Sequence, residues 1–309
     1  MALFEHAHIK HLRVDEIEPD PSALKTGGDV YYVQSSLGSN TNSGKSPLHP
    51  FATMAYAESQ MTADQGDVCY VLPGHAETIS TDGGLTINIA DTSWIGCGTG
   101  DQRPLITIGT LAAAAMVISG AGTRFWNFRI SIAIDAATDP IQISAAGCDF
   151  GYCEIIEATA CESLDLISLN ASATRCKLHD LWIQGRNTAD GDALNAIHLD
   201  GCDQVEIYNI FAFGGDWKEG VIKNEGDEAL DLHIHDCYLK TAAPEDLCII
   251  LDAAATGWTH DIYCVLNDDA ANIDECIVGA AMNFFDPILV VNAAGEKGIE
   301  WAGTDSTDA

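Results

Sequence analysis

Asp180-Leu181-Trp182-Ile183 is one copy of a short apolar segment that recurs along the chain. The other copies read Trp126-Asn127-Phe128-Arg129, Tyr152-Cys153-Glu154-Ile155, Asn209-Ile210-Phe211, Asp236-Cys237-Tyr238-Leu239 and Tyr263-Cys264-Val265-Leu266. We take one buried-type residue of each copy as equivalent, which gives the set Phe128, Cys153, Leu181, Ile210, Cys237 and Cys264. The steps between neighbours, such as 153 − 128 = 25 and 210 − 181 = 29, lie between 25 and 29 residues.

A second apolar segment alternates with the first and has nearly the same period. Its copies read Met116-Val117-Ile118, Ile141-Gln142-Ile143, Leu166-Ile167-Ser168-Leu169, Ala196-Ile197-His198-Leu199, Gly220-Val221-Ile222 and Ile249-Ile250-Leu251. A period in the high twenties is too long for a hairpin and lacks the stripe of a helical repeat. It fits coils of three short strands, each pairing with its equivalents about 4.8 Å above and below. The sequence therefore predicts a parallel β-solenoid in which equivalent side chains stack inside.

The opening of the repeat region carries a family resemblance. Asp29-Val30-Tyr31-Tyr32-Val33 is followed by a Gly/Ser/Asn loop over 38–47, by Pro50-Phe51-Ala52-Thr53, and by Gly66-Asp67-Val68-Cys69-Tyr70-Val71-Leu72-Pro73-Gly74. This order closely resembles the start of pectate-lyase-like proteins, and the resemblance implies a right-handed parallel β-helix. We predict an arm over 1–28, one β-helix domain over 29–300 with a capping helix near 50–61, and a loose tail over 301–309.

Composition limits the partners. The chain has 309 residues, with 14 Lys and Arg against 46 Asp and Glu, a formal net charge of −32. Such a polyanion gains nothing from counterion release on nucleic acid and is repelled by anionic membranes. The 11 cysteines form no CxxC pair, and Met1–Asp20 has neither an apolar core nor a cleavage signal. We therefore expect synthesis in a reducing cytoplasm, with the cysteines acting as small buried residues.

Catalytic and metal motifs are weak. Asp190 and Asp192, in the step Asn187-Thr188-Ala189-Asp190-Gly191-Asp192, are the best candidates for a carboxylate pair of a polysaccharide hydrolase, although Asp-Gly is also ordinary turn chemistry. His233 and His235 share one strand face, as a metal pair would, but we interpret His179, His233 and His235 as solvent-facing side chains. We expect no resident metal or cofactor.

The N-terminal segment is interpreted as an arm that contacts a partner. The contacts are assigned to its apolar and basic residues, although metal binding by its histidines and terminal disorder are alternatives. These residues are Phe4, His6, His8, Ile9, Lys10, His11, Leu12 and Arg13. An exposed apolar ridge for oligomer contacts is assigned to Phe211, Phe213, Trp217, Phe284 and Phe285.

These features favour a non-enzymatic structural protein. The chain is similar to the β-helix proteins that decorate or cement the capsids of tailed bacteriophages, and that resemblance implies a homotrimer on the virion surface whose arm binds the major capsid protein. The first alternative is a polysaccharide lyase, hydrolase or tailspike-type depolymerase, because all of these share the fold. The second is a carbohydrate-binding module, which needs an exposed row of aromatic residues; Trp182 and Trp217 are its candidates.

Overall fold

A computed structural model describes most of the chain. It covers residues 27–187, 193–224, 229–241, 248–252 and 254–266, and beyond these the strands within 277–300. The strands are numbered in chain order, and nearly all of them pair in parallel with strands of the coils before and after. The protein is a right-handed parallel β-helix, as the repeat predicts.

One face of the solenoid is an eight-stranded parallel sheet that contains one strand from each coil. Its strands are β4 (Leu85–Ile87), β7 (Met116–Ile118), β10 (Ile141–Ile143), β13 (Asp165–Leu169), β15 (Asn195–Leu199), β17 (Ile222–Asn224), β19 (Ile249–Ile250) and β21 (Ile277–Val278). The copies of the second repeated segment contribute to six of these strands, which pair in parallel from coil to coil, for example with Ile141 beside Ile167. This part of the prediction is confirmed.

The other faces form one continuous sixteen-stranded sheet. Its strands are β1 (Val30–Val33), β2 (Val68–Val71), β3 (Ala76–Ile79), β5 (Ser93–Gly96), β6 (Leu105–Ile108), β8 (Arg124–Trp126), β9 (Arg129–Ile132), β11 (Asp149–Gly151), β12 (Glu154–Glu157), β14 (Lys177–Gln184), β16 (Glu206–Phe213), β18 (Leu232–Lys240), β20 (Thr256–Val265), β22 (Ala281–Phe284), β23 (Ile288–Val291) and β24 (Lys297–Glu300). Early coils use two short strands here, whereas β14, β16, β18 and β20 each run through both parts.

A left-handed backbone corner divides each of these long strands. Asp180, Asn209, Asp236 and Asp261 occupy the corner in successive coils, with φ between 52° and 53°. Asp and Asn tolerate this conformation better than other residues with a Cβ, because their short polar side chains bond locally. The corner residues are left out of the ladder, and pairing resumes beyond them in the same register. The outward side chains before and after the corner therefore lie on two different faces.

The interior is a dry stack of apolar ladders. Leu181 lies beside Ile210, and both are buried, as is Cys237 in the same column. Assigning Cys264 to this column is wrong: Ile262 pairs with Cys237, and Cys264 pairs with Leu239. Both residues point inward, since alternate strand residues share a face, so the apolar pattern cannot detect a slip of two. Eight of the ten described cysteines are buried.

A short helix closes the N-terminal end. Helix α1 (Met54–Glu58) is shorter than the predicted 50–61. It begins after Thr53, whose side chain caps it by accepting the Tyr56 N–H, and it ends before the cap residue Ser59. Met54 and Ala57 are buried against the first coil, and Glu58 accepts N–H bonds at the end of β4. At the other end, β23 and β24 pair antiparallel. No helix in the described residues is long and apolar enough to cross a membrane.

Candidate functional site

An aromatic strip runs up the outer surface just after the corner. The second residue beyond each corner points outward, and in four successive coils it is aromatic. The strip consists of Trp182, Phe211, Tyr238 and Tyr263. Neighbouring ring centroids lie 4.6, 4.5 and 5.3 Å apart, and neighbouring planes are within 17° of parallel.

The rings of this strip stack on each other, so their faces are covered and their edges point to solvent. Trp182 remains 45% exposed, and Phe213 packs edge-on against both Trp182 and Phe211. Sugar-binding aromatic residues instead offer a free ring face to the pyranose. A row of edges is a narrow apolar ridge, which is suited to packing against another protein surface.

The N-terminal end of the same column is charged. Glu154 lies one coil before Trp182 and accepts bonds from Arg129 and Arg103. Arg129 also pairs with the exposed Asp101 at 3.1 Å. Two of the few arginines in this acidic chain therefore lie together at one end of the ridge, so the two ends of the ridge are chemically different.

The predicted ridge is partly contained in this strip. Phe211 is a member and Phe213 a flanking residue, but the inclusion of Trp217 is wrong: only 1% of it is exposed, and its indole lies against Gly185 and Gly215. The side chain of Phe284 and the whole of Phe285 lie outside the described residues. Tyr238 and Tyr263 were missed.

The predicted arm contacts, Phe4 to Arg13, also lie outside the described residues, as do the candidate carboxylates Asp190 and Asp192. The structure therefore does not test either set.

A shallow acidic groove of about 250 Å³ lies on the eight-stranded sheet. His198 Nδ1 is 3.3 Å from Asp165 Oδ2, and this partner raises the pKa of His198. Burial opposes ionisation of Asp165, but the hydrogen bonds from His198 and Asn195 hold its pKa below the ordinary value. Burial, reinforced by the charge of Asp165, raises the pKa of Asp139 across the groove. The pKa values of these two neighbouring carboxyls are thus shifted in opposite directions.

The histidines of the long strands are less exposed than predicted. His179 is buried beneath Trp126 and Tyr152, and its ring nitrogens bond Asp149 and Asp180. His233 and His235 are half-buried, and the next coil adds His260 beside them. Burial and the neighbouring imidazoles lower the pKa of His233.

Comparisons with known proteins give little beyond the fold. No family model matches the chain, and no curated protein matches it. Among solved structures, a rhamnogalacturonan lyase aligns with a TM-score of 0.49 and 14% identity, over 87% of this chain and 75% of its own. The pectate lyase Pel9A aligns with a TM-score of 0.43 and 10% identity, over 84% of this chain and 74% of its own. At this similarity neither protein's activity is transferred to this chain.

Proposed function

We propose that the protein is a non-enzymatic structural subunit that works as a side-by-side homotrimer, decorating and cementing the exterior of a phage capsid. The observation that carries the proposal is the aromatic strip. Its apolar edges form a straight ridge along the solenoid axis, and a neighbouring solenoid with the same coil spacing can follow that ridge coil by coil. Tyr, Trp and Phe are the residues that dominate protein–protein contacts when they lose water.

The acidic surface makes the ridge selective. Two chains that each carry a net charge of −32 repel each other except where apolar or paired groups meet. The strip offers such a place, and Arg103 and Arg129 lie at its end. Side-by-side contact through this face therefore brings together the part of the surface that repels least.

Attachment to the capsid is assigned to the N-terminal segment. Residues 1–28 contain Lys10 and Arg13 next to apolar residues, in a chain with only 14 basic residues. A segment that binds only the assembled shell stabilises that shell by mass action. On this proposal the major capsid protein is the partner, and assembly takes place in the host cytoplasm.

Oligomeric mass tests the trimer. We expect light scattering after gel filtration to give three times the 32.9 kDa chain mass for the wild type. The double substitution Trp182→Ser/Tyr238→Ser should weaken the trimer at least tenfold, because two ridge contacts are lost together. The matched control is Tyr152→Ser, which removes a 48% exposed aromatic outside the strip and should leave the trimer intact.

A monomeric wild type at micromolar concentration, or a strip variant that stays trimeric, would contradict this part of the proposal. The capsid part is tested separately by mixing purified shells with the wild type and with a chain that lacks residues 1–28. We expect only the wild type to sediment with the shells.

A polysaccharide-cleaving enzyme is the second candidate, and the acidic groove favours it. Asp139, with its raised pKa, is placed to be a general acid, and the ionised Asp165 to be its partner. Incubation with a panel of acidic and neutral glycans tests this function. Chain cleavage that is lost in Asp139→Asn would establish it and remove the first proposal. The carbohydrate-binding alternative is weakened, because the stacked rings of the strip have no free faces for sugars.

A further inference from the structure

Three imidazoles from two adjacent coils converge at the C-terminal end of the fully described solenoid. His233 and His235 lie two residues apart on β18 and share its outer face, and the register places His260 of β20 directly beside His235. Their ring centroids are 4.2 to 5.2 Å apart. One nitrogen from each ring lies within 4.8 Å of the other two.

The geometry points to a site for a zinc-class divalent cation, held by the Nε2 atoms of His233, His235 and His260. His233 Nε2 and His260 Nε2 are 3.0 Å apart. In a tetrahedral site with bonds of about 2.0–2.1 Å, neighbouring ligand atoms stand about 3.3 Å apart. The observed separation is close to that value.

The neighbouring carboxylates orient two of the ligands. His235 Nδ1–H donates to Asp236 Oδ2 at 2.7 Å, and His260 Nδ1–H donates to Asp261 Oδ2 at 2.8 Å. Each bond fixes the tautomer with its proton on Nδ1 and leaves a lone pair on Nε2, as carboxylates do behind metal-bound histidines. Both carboxylates belong to corner residues, so the backbone itself sets their position.

The same tautomers leave polar atoms without suitable partners in the free protein. His235 Nε2 is buried and makes no hydrogen bond. Because His260 Nε2 carries no proton, it can only accept a hydrogen bond, so His233 must carry its proton on Nε2 to donate across this contact. His233 Nδ1 is then unprotonated, and its lone pair faces Glu206 Oε1, 3.8 Å away. A cation removes both conflicts, because His233 then carries its proton on Nδ1, facing the carboxylate.

Glu206 is held in place beside the imidazoles. Lys177 Nζ donates to its Oε2 at 2.5 Å, which leaves Oε1 directed toward the imidazoles. A donor set rich in imidazole nitrogen selects zinc, nickel, copper or cobalt over magnesium and calcium.

The metal would link two consecutive coils, and Glu206 lies beside it on the coil before. Glu206 is on β16, His233 and His235 are on β18, and His260 is on β20. Three histidine ligands would leave the fourth position of a tetrahedral zinc ion to a water molecule. The inference is independent of the proposed trimer and capsid roles.

Metal titration of the full chain tests the site. Protein freed of metal by a chelator is titrated with Zn²⁺ by calorimetry and with Co²⁺ by visible absorption, since tetrahedral Co²⁺ gives intense bands. We expect one ion per chain. The substitution His233→Ala/His235→Ala/His260→Ala should abolish this binding. The matched control, His6→Ala/His8→Ala/His11→Ala, removes as many histidines from the N-terminal segment and should leave one tetrahedral ion.

A single, more conservative substitution tests the site with less risk of misfolding. Asp236→Asn keeps a residue suited to the left-handed corner, as Asn209 is one coil earlier, and should lower Zn²⁺ affinity about tenfold. Circular dichroism and the melting temperature in chelator check that each variant is folded. The inference is overturned if the wild type binds no ion, if binding is lost with the N-terminal histidines, or if folded coil variants bind as the wild type does.

Discussion

Gly151 shows how a single residue can be fixed by its neighbour in the next coil. A Cβ at this position would lie 2.5 Å from His179 Nε2, within the imidazole ring's own space. The ring cannot move aside cheaply, because Asp149 and Asp180 hold its two nitrogens at 2.7 and 2.8 Å. The glycine therefore makes room for the buried histidine.

We expect Gly151→Ala to destabilise the protein by about 1–3 kcal/mol, the usual cost of overpacking a rigid site. Gly109→Ala is the matched control, since a Cβ there would meet Ala133 Cβ at an ordinary 3.5 Å. Thermal melting of both variants beside the wild type measures the difference. Equal melting temperatures for the two variants would show that the His179 network adapts.

Glu157 gives a second residue-scale prediction, on pH. Burial raises the pKa of this carboxyl to about 7, although its oxygens accept N–H bonds from Ser163 and Arg186. The folded state therefore favours the protonated form, so the stabilisation is present at low pH and is lost as pH rises through the folded pKa. Between about pH 5 and about pH 8 the loss amounts to about 2 kcal/mol.

The substitution Glu157→Gln removes this titration. Gln can replace only one of the two accepting oxygens, so the variant is expected to be less stable at low pH. The wild-type advantage should then shrink by about 2 kcal/mol between about pH 5 and about pH 8. Unfolding at several pH values measures this change, and parallel pH profiles would contradict the raised pKa.

At the scale of strands, the sequence predicts the ladders but not the corner. The repeats that identified the solenoid contain Asp180, Asn209 and Asp236 in equivalent places, yet they were treated as ordinary strand residues. A positive φ depends on how the chain must turn around the core, which no local apolar pattern records. Each of these strands therefore presents two outer faces.

The slip of two residues in the last copy explains why Tyr263 was missed. With Cys264 aligned to Cys237, Tyr263 falls beside Asp236 and the aromatic row is broken. Moving the last copy by two residues puts Tyr263 beside Tyr238 and completes the row. Three copies carried this signal in their third place, as Trp182, Phe211 and Tyr238. His260 falls beside His233 in the slipped register and beside His235 in the observed one. It belongs to the next coil, so the candidate metal site could not be read from spacing within one strand.

For the whole molecule, the net charge of −32 is distributed over coils about 4.8 Å apart. Many carboxylates therefore lie within one Debye length, about 10 Å at 0.1 M salt, of like charges in the next coil. At the corner column, Asn209 separates the carboxylates of Asp180 and Asp236, and its Nδ2–H donates to Asp180 Oδ1 at 3.2 Å. An uncharged donor here reduces repulsion along the column.

Salt should accordingly stabilise the protein. In chelator, so that no metal contributes, we expect the melting temperature to rise by a few degrees between about 0.02 and about 0.5 M NaCl as self-repulsion is screened. Asn209→Asp keeps a corner-compatible residue but places four carboxylates in succession, because Asp261 follows Asp236 in the next coil, so it should melt lower at low salt and approach the wild type at high salt. Melting curves at equal ionic strength in NaCl and KCl check that screening, and not one particular cation, is responsible. A salt-independent gap between variant and wild type would assign the effect of Asn209 to its hydrogen bond with Asp180 and not to charge.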